Sequence, residues 1–346
     1  MDDTSGSGNA GQHTLSVVIP VYQGERTLNA LLEEVAVYAQ PVITPGGHRM
    51  RITEVLLVHD NGPDGSAAVM RNLAEQYDFV RPVWLSRNFG QHPATLAGMA
   101  SAGGDWIVTL DEDGQHNPAD IVRMLDVALD QRAAVVYAKP TNEPPHGFAR
   151  NLASRTAKRA LAGSAGANGA SAVEFQSFRL MLGEIGRSVA AYAGSGVYLD
   201  VAMGWVAGRV ATCEVELRAE GDRPSGYSMR SLGSHFWRMV LSSGTKGLRL
   251  VSILGAVFAV VGFVLALFVV ISRLSGSHFV VQGWASLMVA LLLVGGAILF
   301  SLGIIAEYIG VAVNMAMGKP LYLIVSDPQD GPLGRVDPHE SHVLSD

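Results

Sequence analysis

Two long apolar segments near the C-terminal end constrain the fold of this chain more than any other feature. Leu250–Ser272 and Phe279–Ala306 contain no Asp, Glu, Lys or Arg. As a helix, the shorter segment would be roughly 35 Å long, which exceeds the hydrocarbon core of a bilayer at about 30 Å. Two buried soluble helices separated only by Arg273–His278 would need a far larger domain around them. Residues 250–318 therefore predict a transmembrane hairpin of two helices.

The basic residues around this hairpin predict its orientation. Most of them lie outside the connecting turn, namely Arg238, Lys246, Arg249 and Lys319. The turn itself carries only Arg273. Since basic residues stay on the cytoplasmic side, we expect both termini and residues 319–346, a C-terminal tail, to be cytoplasmic at the inner or plasma membrane. Residues 1–14 are polar and Gly-rich with no basic apolar leader, which predicts a disordered tail.

The overall composition narrows the class of partner. The chain has 346 residues, of which 49% are apolar and 16% charged, and a mean hydropathy of +0.25. With 25 Lys and Arg against 31 Asp and Glu, it has no basic surplus for binding nucleic acid non-specifically. We expect no nucleic-acid partner. Cys213 is the one cysteine, so no intrachain disulfide can form.

Residues 15–230 alternate between strand and helix patterns. Short apolar runs at Leu15–Pro20, Ile52–Val58 and Trp106–Leu110 predict strands. Each is followed by apolar residues at helical spacing, which predicts helices over Glu25–Tyr38, Ser66–Tyr77 and Pro118–Gln131. Such alternation is typical of an α/β fold with a mostly parallel sheet, whose ligands bind beyond the carboxyl ends of the strands.

Acidic loops follow two of these strands. His59–Asp64 follows the second strand and Asp111–His116 follows the third. Side chains two residues apart can face the same way, so Asp111, Asp113 and Gln115 offer oxygen ligands suited to Mg²⁺ or Mn²⁺ on a diphosphate. Asp, Asn and Gly also form turns, and for the first loop both interpretations stay open. No Gly-rich phosphate loop follows any strand, which argues against a nucleoside triphosphatase or a nicotinamide enzyme.

Six short motifs precede the hairpin in a fixed order. They are Ile19-Pro20-Val21-Tyr22, Asp60 with Asp64, Ser86-Arg87-Asn88-Phe89-Gly90-Gln91, Asp111-x-Asp113-x-Gln115, Ser177-Phe178-Arg179-Leu180 and Arg223-x-x-Gly226-x-Ser228. In this order they resemble the inverting glycosyltransferases of family 2, which have the GT-A nucleotide-sugar fold. The narrower resemblance, over about Leu15–Ala316, is to polyprenyl-phosphate glycosyltransferases such as dolichol-phosphate mannose synthase and the bacterial undecaprenyl-phosphate sugar transferases.

The resemblance implies a role for each group of matching residues. The donor-binding residues would be Pro20, Tyr22, Glu25, Asp60 and Asp111. The ligands of Mg²⁺ or Mn²⁺ would be Asp111, Asp113 and Gln115. The acceptor phosphate would be held by Arg179, Arg223, Ser228 and Arg230. The residues at the reacting centre would be Asp113, Arg179 and Arg223.

Some of these positions have other interpretations. The family often has Asn-Glu after the first Tyr, where this chain has Gln23-Gly24 and then Glu25, and often Ser-Lys where it has Ser228-Met229 and then Arg230. Each arginine can also serve in a structural ion pair, and the candidate partners are Glu174 or Glu184 for Arg179 and Glu220 or Asp222 for Arg223. Residues 231–249 combine apolar and basic side chains, which predicts an interfacial amphipathic helix or an ordinary packing helix.

The implied function is metal-dependent transfer of a sugar, with inversion, from a UDP- or GDP-linked donor to a polyprenyl phosphate, most simply undecaprenyl phosphate. The product would be a polyprenyl-monophosphate sugar for cell-envelope glycan or lipid modification. A phosphate monoester has a second pKa of about 6, so the nucleophile is already ionised and needs no strong base. The alternatives are a catalytically silent nucleotide-sugar-binding membrane scaffold and a family 2 transferase with a non-prenyl acceptor. A homo-oligomer is compatible with each of these functions.

Overall fold

The computed structural model describes residues 11–142, 176–194, 198–218, 284–318 and 320–331, with seven single positions between 255 and 271. These residues fall into two compact units. The first contains the described residues up to 194, residues 198–218 and residues 320–331. The second contains residues 284–318 and the seven single positions.

The first unit alternates strands and helices along the chain. Its strands are β1 (Gln12–Val21), β2 (Val42–Ile43), β3 (Arg49–His59), β4 (Val80–Leu85), β5 (Trp106–Thr109), β6 (Val135–Pro140), β7 (Arg179–Leu182), β8 (Val210–Val215) and β9 (Ile324–Val325). Its helices are α1 (Leu28–Ala36), α2 (Ser66–Gln76), α3 (Gln91–Ser101), α4 (Asp120–Asp130), α5 (Gly183–Tyr192) and α6 (Leu199–Val206), with a 3₁₀ turn at Val37–Ala39. The second unit contributes α7 (Trp284–Ala316).

The described strands form one sheet in the order β8-β6-β7-β5-β1-β3-β4-β9, and β2 pairs with β3. Strand β1 pairs in parallel with β3 and β5, β3 with β4, and β6 with β8. The remaining strands, β2, β7 and β9, pair antiparallel. The expected α/β fold with a mostly parallel sheet is confirmed. Because β5, β1, β3 and β4 run in the same direction, their carboxyl ends meet at one edge.

Burial explains why the central strands read as continuous apolar runs. Val17, Ile19 and Leu57 are fully buried, and one face of α1 covers the sheet with Leu28, Leu31, Leu32 and Val35. Each such side chain contributes about 1.5–3 kcal/mol relative to exposure. Helix α3 lies close against the sheet at Gly98, where a Cβ would lie 2.3 Å from Val18 Cγ1. Its small residues are therefore a packing requirement.

Element ends differ from the sequence prediction by a few residues. Strand β1 begins at Gln12 and not at Leu15, so the chain is ordered before residue 14. These residues already pair with β3, with Gln12 opposite Arg49, and the carboxylate of Asp105 accepts hydrogen bonds from the N–H and hydroxyl of Thr14. Helix α4 begins at Asp120 and not at Pro118, and Asn117 Oδ1 accepts the backbone N–H of Ala119 at 3.0 Å in the turn before the helix.

The second unit contains one helix that is long and apolar enough to span a membrane, among the residues that the structure describes. The span is Val294–Asn314 within α7, with a mean hydropathy of 2.0. Helix α7 continues ten residues beyond the predicted end at Ala306 and includes Glu307. The first predicted span, residues 250–272, lies largely outside the described residues, as do residues 231–249. The two-helix hairpin therefore stays a prediction.

Replacing Gly98 with Ala tests the close approach of α3 to β1. The new methyl group would overlap Val18 and Val58, and overpacking of this kind costs about 1–3 kcal/mol of unfolding free energy. Gly204→Ala in α6 is the matched control, because a Cβ there has no neighbour within 4 Å among the described residues. Thermal unfolding in detergent measures both variants. Equal melting temperatures for the two would contradict the packing described here.

Candidate active site

Four loops meet at the carboxyl edge of the parallel strands. They are residues 22–27 after β1, 60–65 after β3, 86–90 after β4 and 110–119 after β5, and we call them the rim loops. Ser177, just before β7, joins them through Asp111. The sequence-predicted residues Tyr22, Glu25, Asp60, Asp111, Asp113 and Gln115 all lie in these loops, and Pro20 lies near the end of β1.

Asp111 is held in a fixed orientation by two neighbouring motifs. Its Oδ1 accepts a hydrogen bond from Gln91 Nε2 at 2.7 Å, and its Oδ2 accepts one from the hydroxyl of Ser177. Asp113 Oδ1 accepts the backbone N–H of Gln115 at 3.0 Å, which closes a tight turn. Both aspartates are partly exposed. The loop after β5 therefore presents preoriented carboxylate oxygens at the surface.

Glu112 fastens the loop after β5 to the loop after β1. Its two carboxylate oxygens accept the backbone N–H groups of Tyr22 and Gln23, each at 3.0 Å. Glu112 was not among the site residues predicted from the sequence. Asp111, Asp113 and Gln115 alternate along the chain as metal ligands can, whereas no sequence pattern indicates a carboxylate that accepts backbone N–H groups.

The loops after β1 and β3 are joined by reciprocal hydrogen bonds. The N–H of Glu25 donates to Asp64 at 3.1 Å, and the Glu25 carboxylate accepts the N–H of Gly65 at 3.0 Å. Burial raises the pKa of Asp64, but hydrogen bonds from Ser66 and from the Glu25 N–H outweigh burial, so the pKa lies below its ordinary value. Both carboxylates therefore stabilise the rim.

The same two loops touch through their backbones. A Cβ on Gly62 would lie 1.6 Å from the carbonyl oxygen of Tyr22, so only glycine fits at this position. The preceding residue, Asn61, has a φ of 51°, in the left-handed region that Asn tolerates better than most residues. Tyr22 keeps 41% of its surface exposed, which leaves its ring available to a ligand.

Asp60 is buried and binds the backbone of the loop after β4. Its two oxygens accept the backbone N–H groups of Phe89 and Gly90, each at 2.7 Å. Burial raises the pKa of Asp60, and the two hydrogen bonds and the nearby charge of Arg87 offset only part of that effect. In this arrangement Asp60 positions residues 86–90, and its contact with a donor ribose stays a prediction.

Arg179 is buried in an ion pair with Asp200 of α6. Its Nε also donates to Thr109 Oγ1 at 3.0 Å and to the carbonyl oxygen of Ser177 at 3.3 Å. Burial lowers the pKa of the Arg179 guanidinium, but the Asp200 carboxylate and neighbouring groups raise it above its ordinary value, while burial raises the pKa of Asp200 against the opposing effect of Arg179. Tyr137 donates its hydroxyl to the same carboxylate at 3.0 Å.

The structural partner of Arg179 is therefore not one of those considered from sequence. Asp200 lies on a helix 21 residues away, and no local pattern links it to Arg179. Acceptor binding by Arg179 stays a prediction, and in this conformation its guanidinium is committed to protein groups. The other proposed acceptor-phosphate residues, Arg223, Ser228 and Arg230, lie outside the described residues.

The donor set of the loop after β5 fits a hard divalent cation. Asp111 and Asp113 supply carboxylate oxygens, and Gln115 adds a side-chain amide oxygen, which are the ligand types that Mg²⁺ and Mn²⁺ prefer. Ser177 and Gln91 orient Asp111 from behind, as second-layer hydrogen bonds do in metal sites. No group of three His, Cys, Asp or Glu side chains suited to a metal occurs in the described part of the chain, this loop included, so the proposed site consists of two carboxylates and one amide oxygen.

Comparison with known proteins gives consistent matches. Residues 16–185 match the model of Glycosyl transferase family 2. Over 326 residues the chain is 31% identical to the undecaprenyl-phosphate 4-deoxy-4-formamido-L-arabinose transferase of Serratia proteamaculans (strain 568), covering 90% of this chain and 92% of that protein. The transferase of the same name from Klebsiella pneumoniae (strain 342) is 31% identical over 313 residues, with the same coverage.

Solved structures with a similar arrangement are more distant. Glucosyl-3-phosphoglycerate synthase from Mycobacterium tuberculosis, in complex with Mn²⁺, uridine diphosphate and glucosyl-3-phosphoglycerate, is 17% identical with a TM-score of 0.46, covering 66% of this chain and 78% of that one. Mannosyl-3-phosphoglycerate synthase from Rubrobacter xylanophilus is 13% identical with a TM-score of 0.47, covering 69% and 74%.

Substitutions at the buried ion pair separate a structural role of Arg179 from a ligand-binding one. Asp200→Asn leaves a buried guanidinium uncompensated, so we expect it to lower the unfolding free energy by about 3–5 kcal/mol. Arg179→Lys should also destabilise, because an ammonium cannot reproduce the forked contacts. Thermal and denaturant unfolding measure both effects.

The matched control is Glu214→Gln, which removes an exposed ion pair with Lys139 and should cost at most about 1 kcal/mol. An Arg179→Lys variant that unfolds at the wild-type temperature and selectively loses affinity for a phosphate-bearing acceptor would instead support direct acceptor binding.

Proposed function

This chain belongs to glycosyl transferase family 2, and we propose that it transfers a sugar from a nucleotide-sugar donor to undecaprenyl phosphate with inversion. It is a glycosyltransferase. One observation carries the proposed acceptor, namely the extent of the similarity to transferases named for undecaprenyl phosphate. That similarity covers 90% of the chain, which is more than the α/β unit alone can supply.

The charges of the two substrates define what the site must do. The acceptor phosphate is ionised near neutral pH, so the reaction needs no strong general base. The difficulty is repulsion, since two unit charges about 4 Å apart repel by about 4 kcal/mol at an effective dielectric constant of about 20. Cationic groups must offset this repulsion for the acceptor oxygen to approach the anomeric carbon.

We propose that Asp111, Asp113 and Gln115 hold Mg²⁺ or Mn²⁺, and the choice between the two metals is left to experiment. A bound divalent ion supplies positive charge to the donor diphosphate as it leaves. Asp111 is ready for this role, because Gln91 and Ser177 already fix both of its oxygens. Pro20 and Tyr22 would border the nucleotide, while Glu25 and Asp60 keep the surrounding loops in place.

Arg179 is proposed to act in support of this same carboxylate. It donates to the carbonyl oxygen of Ser177, whose hydroxyl donates to Asp111, so the buried ion pair fixes the residue behind the metal ligand. The acceptor phosphate would then be held mainly by Arg223, Ser228 and Arg230. Forked hydrogen bonds from guanidinium groups suit a phosphate.

The proposed membrane region is described by the structure only in part. The helix α7 contains one candidate span, which agrees with an enzyme that uses a lipid acceptor. The second helix of the hairpin, the interfacial helix at residues 231–249 and cytoplasmic termini are proposed from the sequence. In this arrangement the catalytic unit would meet the lipid phosphate at the cytoplasmic membrane face.

The metal site is tested by removing the metal and its ligands. A chelator should abolish transfer, Mn²⁺ or Mg²⁺ should restore it, and Asp111→Asn should lower the rate by about 100-fold or more. Ser177→Ala should weaken Mn²⁺ binding by about tenfold to 100-fold, because it releases one oxygen of Asp111. Ser101→Ala removes a hydroxyl bonded only within α3 and is the control. Transfer that is indifferent to chelators would refute the metal site.

The acceptor is tested by product analysis. Purified protein is incubated with undecaprenyl phosphate and a panel of UDP- and GDP-sugars, including a UDP-linked 4-deoxy-4-formamido-L-arabinose, and mass spectrometry identifies the lipid. We expect a glycosyl undecaprenyl monophosphate and a higher acceptor KM for Arg223→Lys. A glycosylated soluble acceptor would favour the non-prenyl transferase. Donor binding without transfer to any acceptor would favour the silent scaffold.

A further inference from the structure

The segment that follows α7 returns to the α/β unit and completes the sheet. Strand β9 (Ile324–Val325) pairs antiparallel with the end of β4, with Val325 opposite Trp84 and Ile324 opposite Leu85. Val325 also packs against the main hydrophobic core. We call residues 320–331 the C-terminal segment, and the sequence analysis treated it as part of a polar tail.

Two further contacts fasten the C-terminal segment next to the rim loops. The carbonyl oxygen of Leu323 accepts the N–H of Ser86 at 3.0 Å. Asp327 forms a two-pronged ion pair with Arg71 of α2, with both contacts at 2.6 Å and side chains only 20% and 15% exposed. The Asp327 carboxylate also accepts the N–H of Gln329 at 2.9 Å, which closes a turn around it.

The contact of Leu323 with Ser86 lies at the start of the loop after β4. Ser86 is the first residue of that loop. Gln91, which directly follows the loop, donates to Asp111, the candidate metal ligand. Between them, Phe89 and Gly90 donate to Asp60. The loop is therefore held at its start by the C-terminal segment, in its middle by Asp60 and at its end by Asp111.

Two ring contacts connect the Arg71–Asp327 pair to the residue that precedes Asp60. The guanidinium of Arg71 lies over Trp84, 4.7 Å from the ring centroid. Trp84 packs against His59 with centroids 5.3 Å apart, and His59 immediately precedes Asp60. Arg71 thus lies at one end of a short path of contacts that leads through Trp84 to His59, the residue before Asp60.

We propose that Arg71 and Asp327 are positioning residues for the donor site, and that the C-terminal segment sets the conformation of residues 86–91. The sequence after the membrane helix would then belong to the catalytic unit in function as well as in structure. The kinetic part of this proposal rests on the proposed glycosyl transfer, whereas its structural part does not.

The test combines hydrogen exchange with kinetics on the full chain. In Asp327→Asn the charge is lost with the size preserved, and we expect amide exchange in the peptide spanning residues 84–91 to accelerate about tenfold. Peptides from β6 and β8 should exchange at the wild-type rate. The donor KM should rise several-fold while kcat changes less than about twofold, because substrate positioning is lost and the reacting groups are intact.

Two further variants keep the test decisive. Arg71→Lys retains the charge but not the fork and should show the same pattern more weakly. Glu214→Gln removes the exposed pair with Lys139 at the other side of the sheet and should leave both readouts unchanged. Wild-type exchange at residues 84–91 in Asp327→Asn would overturn the proposal, as would acceleration spread equally over β6 and β8 or an unchanged donor KM.

The failure of the proposed function is distinguishable from the failure of this inference. If the wild-type protein transfers no sugar to undecaprenyl phosphate, the exchange experiment still reports on residues 84–91. Binding of UDP or GDP with Mn²⁺, measured by calorimetry, then replaces the donor KM. Unchanged nucleotide affinity in Asp327→Asn would overturn the positioning role in that case.

Discussion

Carboxylates that accept backbone N–H groups hold the rim of this sheet together. The loops beyond parallel strands have no neighbouring strand to pair with, and a buried N–H without a partner costs about 1–3 kcal/mol. Glu112, Asp60 and Glu25 supply partners to three of the rim loops. Each bond crosses from one loop to another, so the loops depend on one another for their shape. The rim loops that would bind the donor are therefore linked to one another by these hydrogen bonds.

The sequence predicts the parts of this fold that depend on local patterns. Apolar runs mark β1, β3 and β5, and helical spacing marks α1 and α2, because both signals arise within a few residues. Parallel strands joined by helices then place the loops after β1, β3 and β5 at the same edge. For that reason the loops with Asp60 and Asp111 could be predicted to lie at one edge, whereas the assignment of Tyr22 to the same site depended on the family resemblance.

Other parts depend on contacts between distant residues. The partner of Arg179 on β7 is Asp200 of α6, whose carboxylate also accepts the hydroxyl of Tyr137 on β6. Strand β9 has two residues and no pattern of its own, and its pairing with β4 spans most of the chain. Asp60 shows the same limit for function, since its motif predicts a ligand contact and its carboxylate supports residues 89 and 90.

The distribution of charge explains why the rim loops alone are insufficient for catalysis. They concentrate acidic side chains where two anionic substrates would meet, namely Glu25, Asp60, Asp64, Asp111, Glu112 and Asp113. Of the guanidinium groups in the described residues, those of Arg71, Arg179 and Arg218 are already paired with carboxylates. The rim loops themselves contain two arginines, Arg26 and Arg87, and the Arg87 guanidinium lies over the ring of Phe89, 4.1 Å from its centroid.

An acidic rim of this kind repels a diphosphate donor and a phosphate acceptor in the absence of added positive charge. In the proposed function, a divalent ion at Asp111 and Asp113 would offset the first repulsion, and Arg223 and Arg230 would offset the second. The metal ion and the arginines would not substitute for each other, because the ion would contact the leaving diphosphate and the arginines the acceptor phosphate. Loss of either should therefore stop transfer while leaving the carboxylate-linked loops folded.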